Sequence, residues 1–94
     1  MVTAMRKYVI EREMPGVGSL TPQGLADAAR KSNAVLADLG PGVQWLESYV
    51  TGDKIYCVYV ANDEKLIRDH ARLSGFPADR VSGVTAIIDP ATAA

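Results

Sequence analysis

Hydrophobic periodicity along the chain switches between the strand period of two and the helical period of 3.6. Met5 to Met14, "MRKYVIEREM", carries β-branched and aromatic residues at its centre and stops at Pro15-Gly16, which predicts a first strand closed by a turn. "PGVGS" follows as a loop. Thr21 then supplies an N-cap with Pro22 at the first helical position. Leu25, Ala28, Ala29, Ser32, Leu36 and Leu39 share one helical face until Gly40-Pro41-Gly42 ends it. "VQWLESYVT" (43–51) and "KIYCVYVA" (54–61) read as strands joined by the hairpin turn Gly52-Asp53. Asn62 or Asp63 caps a second helix, whose inward stripe is Leu66, Ile67, His70, Ala71 and Ser74 and whose end is Gly75. "RVSGVTAIID" (80–89) predicts a last strand, stopped before Pro90.

The resulting order, βαββαβ, is that of a ferredoxin-like α+β fold, with both helices on one face of a four-stranded antiparallel sheet, in a single domain over residues 5–90. A tight hairpin places Ser48 opposite Cys57 and Tyr49 opposite Tyr56. Leu46, Ser48, Val50, Ile55, Cys57 and Tyr59 then share one face, and Trp45, Glu47, Tyr49, Lys54, Tyr56 and Val58 the other. The face carrying Trp45, Tyr49, Tyr56, Val58 and Val60 has no helix to cover it. A symmetric partner is the usual cover for such a surface, so the pattern predicts a sheet-to-sheet homodimer, with Glu47 and Lys54 paired or lining a pocket between the sheets.

Composition narrows the function classes. Ten Lys and Arg against eleven Asp and Glu, with no basic run, argue against a nucleic-acid partner. No apolar run reaches the roughly 18 residues that span a bilayer. One cysteine forms no internal disulfide, and the N-terminus lacks an apolar signal core, which points to the cytoplasm.

The titratable residues that matter are few. Cys57 and His70, each the single residue of its kind, lie on a strand and the helix that folds back over it. Contact between them is the requirement for a thiolate nucleophile, with Ser48 or Tyr59 left to orient the ring. The competing reading is that Cys57 is inert packing and His70 a half-buried residue bonded to a carbonyl or Tyr59. A metal site would take His70 with oxygens from Glu11, Glu13, Glu47 or Asp79, yet the chain has no CxxC, HExxH or second histidine. Cys57, Tyr59 and Ser48 outline a small-molecule pocket. With His70 as a proton-transfer group, they define the enzyme alternative, one acting on a hydrophobic small molecule.

The run "WLESYVTGDKIYCVYVANDEKLIRDHARLSGFPADRVSGV", with "LTPQGLADAARKSNAVL", resembles a small bacterial family of unknown function that includes a nickel-binding protein. The resemblance extends from about residue 6 to 88 and is most specific in Tyr-Cys-Val-Tyr, the Asp-Glu helix start, the histidine and Gly-Phe-Pro-Ala-Asp. It implies a ferredoxin-like, dimeric α+β barrel and the binding of nickel or another divalent metal by imidazole and carboxylate side chains. In this chain His70 matches that pattern. Phe76 stands where a further imidazole is implied, and Glu47 stands where other members carry histidine.

Overall fold

The computed structural model describes residues 4–94. β1 (Arg6–Glu13), α1 (Pro22–Leu39), β2 (Val43–Val50), β3 (Lys54–Ala61), α2 (Glu64–Ser74) and β4 (Arg80–Gly83) follow in the βαββαβ order, with short 3-10 turns at Val17–Ser19 and Pro90–Ala93. The sheet is antiparallel throughout and ordered β2-β3-β1-β4, so β1 and β3 form its centre. The two helices lie against the same sheet face. Ile67 of α2 is buried with Tyr8, Ile10, Val43, Cys57, Tyr59 and Ala61, and Leu36 and Leu39 of α1 pack on that cluster.

Local chemistry sets the helix ends. Thr21 Oγ1 accepts the Gly24 N–H and Asp63 Oδ1 accepts the Leu66 N–H, each satisfying a donor that the first helical turn leaves free. Gly75 ends α2 in the left-handed region at φ 79°, which side chains with a Cβ adopt at a cost. The exposed side of α2 carries Glu64–Arg68 and Lys65–Asp69 pairs at i,i+4 spacing.

Two expectations from the pattern are corrected, the face of Trp45 and the length of the last strand, and of the two roles expected of Glu47 and Lys54 the direct pairing is not made. The hairpin register is as expected near the turn, with Ser48 opposite Cys57 and Tyr49 opposite Tyr56, but it shifts between Trp45 and Glu47. This bulge inserts Leu46 as an extra residue, and the alternation reverses beyond it. Trp45 therefore lies opposite Tyr59 on the helix-covered face, while Leu46 turns outward at 48% exposure. Glu47 and Lys54 share the outer face without pairing: the Tyr49 hydroxyl donates to Glu47, and Lys54 Nζ lies 3.2 Å from Glu13 Oε1. The last strand stops at Gly83 rather than 89, with Val84 N–H still reaching Lys7 O. Its partner β1 begins at Arg6, so among the described residues no strand lies opposite Ala86 and Ile87 in that register. Ile87 and Ile88 accordingly stand 71% and 77% exposed.

The "PGVGS" loop is tied to the hairpin tip. Met14 N–H donates to Asp53 O, Gly16 N–H to Asp53 Oδ1 and Gly18 N–H to Gly52 O. A Cβ on Gly18 would stand 2.7 Å from Thr51 O and 2.8 Å from Gly52 Cα, both backbone atoms that cannot swing aside. Gly18→Ala is therefore expected to lower unfolding free energy by about 1–3 kcal/mol in urea titration, the usual cost of forcing volume into a packed contact. An unchanged midpoint would show that the turn is free to move off the hairpin.

Candidate functional site

Period-two alternation in β1 sends Tyr8, Ile10 and Arg12 to the helix-covered face. The third of these is the unexpected one. Arg12 is 2% exposed, and its guanidinium occupies the core at the end of an apolar row. Nε donates to Cys57 Sγ at 3.3 Å and Nη1 to Pro77 O at 2.6 Å. The Phe76 ring lies 5.8 Å from its central carbon. Nη2 is buried without a hydrogen-bond partner, and among the described residues no carboxylate lies within ion-pair distance of Arg12. An unpaired buried charge is expensive, so this group needs a reason to be there.

Arg12 forms part of the wall of a cavity of about 220 Å³ between the sheet and α1. The sheet contributes Trp45, Ser48, Ile55, Cys57 and Tyr59 to that wall, α1 contributes Leu25, Ala28, Ala29 and Ser32, and Phe76 closes it from the α2–β4 connection. Apart from Arg12, its polar side chains among the described residues are hydroxyls, one indole and one thiol, with no carboxylate. The bulge is what brings Trp45 into this wall, where its Nε1 donates to Ser48 Oγ at 2.9 Å.

Behind the cavity lies a short polar chain. Ser32 Oγ is 3.0 Å from His70 Nε2 and 3.4 Å from the Tyr59 hydroxyl, and the Tyr59 and His70 rings meet tilted, with centroids 5.2 Å apart. His70 is 1% exposed, and its Nδ1 is buried without a partner. Burial, and then the positive charge of Arg12, hold His70 below its ordinary pKa near 6.5; Ser32 acts in the opposite sense. Burial raises Tyr59 above the usual phenol range, so both groups are neutral at pH 7.

The residues singled out from the sequence separate into two places. Cys57, Tyr59 and Ser48 all line the cavity, with His70 behind it. Cys57 and His70 do not form a nucleophile pair: the thiol meets Arg12 and the imidazole meets Ser32. Glu11 and Glu47 lie across the sheet from His70, because Glu11 alternates outward beside buried Ile10 and Arg12, and Glu47 beside inward-facing Ser48. Glu13 pairs with Lys54, and Asp79 accepts the Glu13 N–H. Among the described residues no group of three His, Cys, Asp or Glu side chains is placed to hold a metal ion. The set His70, Glu47 and Glu11 therefore does not fit a nickel ion within one chain. The one imidazole shares its surroundings with a guanidinium cation, and no carboxylate joins it. Sequence reasoning missed Arg12 and Ser32 as members of the site. Arg12 was legible by extending the Tyr8-Ile10 alternation one step, whereas Ser32 is indistinguishable in sequence from any small residue on a helix face.

The architecture is that of a ferredoxin-like α+β protein with a small cavity between its sheet and α1. The chain belongs to the nickel responsive protein SCO4226-like family, whose pattern matches residues 8–84. It is similar in structure to SCO4226 from Streptomyces coelicolor A3(2), with a TM-score of 0.71 and 21% identity over 87% of this chain and 99% of that one, a likeness that shows the fold. No curated protein matches the chain. No helix among the described residues is long and apolar enough to cross a membrane.

A histidine held neutral by burial makes stability depend on pH. The unfolded chain takes up a proton near pH 6.5 and the folded one only at lower pH, so stability is complete above about pH 6.5 and is lost as pH falls through the lowered folded value. Midpoints of urea unfolding measured from pH 7.5 down to about 5 are expected to fall for the wild type and to fall less for His70→Gln. Parallel curves for the two proteins would show that His70 does not carry the effect.

Proposed function

We propose that the chain is a homodimeric cytoplasmic binding module whose ligand is a small organic molecule held between the sheet and α1. The observation that carries this reading is the cavity itself, an apolar space walled by β1, α1, β2, β3 and the α2–β4 connection and holding a few convergent polar groups. Its volume lies below the roughly 300 Å³ at which drug-sized pockets begin, so the ligand is small. No turnover is assigned, because the two groups from which a nucleophile would be built are each engaged elsewhere.

The dimer is supported by what the sheet leaves open. Val9, Tyr56, Val58 and Val60 face outward and are half-buried, and Tyr49 beside them is 55% exposed. Ile87 and Ile88 add a second exposed apolar element just beyond β4. A second copy facing the sheet would cover the first set, and the two isoleucines would reach across its edge. In sedimentation velocity the wild type is expected to run as a dimer, and Val58→Asp, with a charge at the centre of the face, as a monomer of unchanged circular dichroism. A monomeric wild type would remove the dimer from this reading.

The family description supports an involvement of nickel in the biology of this protein, and our reading puts none at His70, a reading supported by the lack of a three-donor group among the described residues. Nickel titration calorimetry of untagged protein is expected to give the same isotherm for wild type and His70→Gln. Loss of a binding heat in the variant alone would put the metal at the imidazole.

A further inference from the structure

We propose that the cavity binds a small carboxylate-bearing molecule with an apolar body, and that Arg12 receives its carboxylate. The inference deepens the binding-module reading above and rests on it. Five observations converge on it. Arg12 belongs to the cavity wall, is almost fully buried, and has no counter-charge among the described residues. Of the five N–H donors on a guanidinium, two are used, by Cys57 Sγ and Pro77 O, and Nη2 is without a partner. One N–H of Nη1 and both of Nη2 therefore remain unused, and a guanidinium with donors to spare on its planar fork is the group that a carboxylate matches. No acidic side chain lines the cavity to repel such a group or to compete for the guanidinium.

The remaining wall defines the rest of the ligand. One fixed positive charge with no second cation in the lining favours a single negative charge over a phosphate dianion. Lys31, with its ammonium 5.5 Å from the Phe76 ring on which Arg12 also rests, adds positive potential nearby without entering the lining. Leu25, Ala28, Ala29, Trp45 and Ile55 give the body of the molecule apolar surface. A divalent cation is disfavoured in the same place by the same charge.

Phenylacetate and its neutral isostere phenylacetamide separate the parts of this proposal. Titrated by calorimetry at pH 7.5 and low salt, wild-type protein is expected to bind the acid at least tenfold more tightly than the amide. Arg12→Met is expected to bring the two affinities together, with the acid losing at least fivefold more affinity than the amide. Arg12→Lys, which keeps the charge but loses the planar fork, is expected to retain part of the preference and serves if the methionine variant does not fold. Ala29→Phe, which fills the cavity, is expected to abolish both. Equal affinities in the wild type, or a preference that survives in Arg12→Met, would overturn the carboxylate inference and leave the cavity as a binding site. Absence of binding by either compound, or binding unaffected by Ala29→Phe, would overturn the binding-module reading along with it.

Discussion

A guanidinium in a protein core must be answered by something, and in this molecule the answer shapes everything around it. β1 is a central strand, so every second side chain enters the space beneath the helices, and Arg12 occupies the last inward position of the row that Tyr8 and Ile10 begin. One N–H goes to the thiol of β3 and another to the carbonyl of Pro77, which holds the α2–β4 connection over the sheet. Phe76, carried on that connection, covers the guanidinium face. The described residues thus supply packing and two neutral acceptors but no opposite charge. Removing a charged group from water costs several kcal/mol even after relaxation, and neutral acceptors offset only part of that. The uncompensated charge lies next to an open apolar cavity, where a ligand can neutralise it.

The same charge orders the chemistry of its neighbours. His70 sits behind the cavity in a dry environment with Arg12 nearby, and both effects favour the neutral imidazole. Ser32 links that imidazole to Tyr59, so the polar chain His70–Ser32–Tyr59 fixes α1, α2 and β3 to one another through side chains rather than through apolar contact alone. Such an arrangement suits recognition: its donors are neutral, held by three elements, and adjacent to a fixed cation. It does not suit a metal ion, which needs several negative or lone-pair donors converging without a competing cation. Acidic residues of this chain lie instead on the outer sheet face and on the exposed side of the helices, as Glu11, Glu47, Glu64 and Asp69 do.

Much of the fold is legible in the sequence because its signals are local. The Thr21 and Asp63 caps, the Gly75 stop and the Gly52-Asp53 hairpin each follow from one or two residues whose backbone or side-chain chemistry has few alternatives. The bulge at Leu46 is not legible, since "WLESYV" alternates acceptably in either phase, and the phase that packs Trp45 on the core depends on contacts distant in sequence. The length of β4 is also hidden, because "RVSGVTAIID" has strand composition throughout, while pairing ends where β1 does. Of the site, Cys57, Tyr59 and Ser48 are readable as one inward row. Arg12 escapes notice because composition says that charges face water, and only the alternation with Tyr8 and Ile10 says otherwise.

The claim on which the ligand site depends is that Arg12 carries a charge the folded chain does not itself compensate. Urea unfolding of Arg12→Met against the wild type, without ligand, tests it most directly. Methionine fills much of the same space, the Pro77 carbonyl is on an exposed residue that water can reach, and the buried charge is gone. The variant is therefore expected to unfold within about 1 kcal/mol of the wild type, or to be the more stable of the two. A loss of about 3 kcal/mol or more, the cost of breaking a compensated buried pair, would contradict the account and make Arg12 a structural residue.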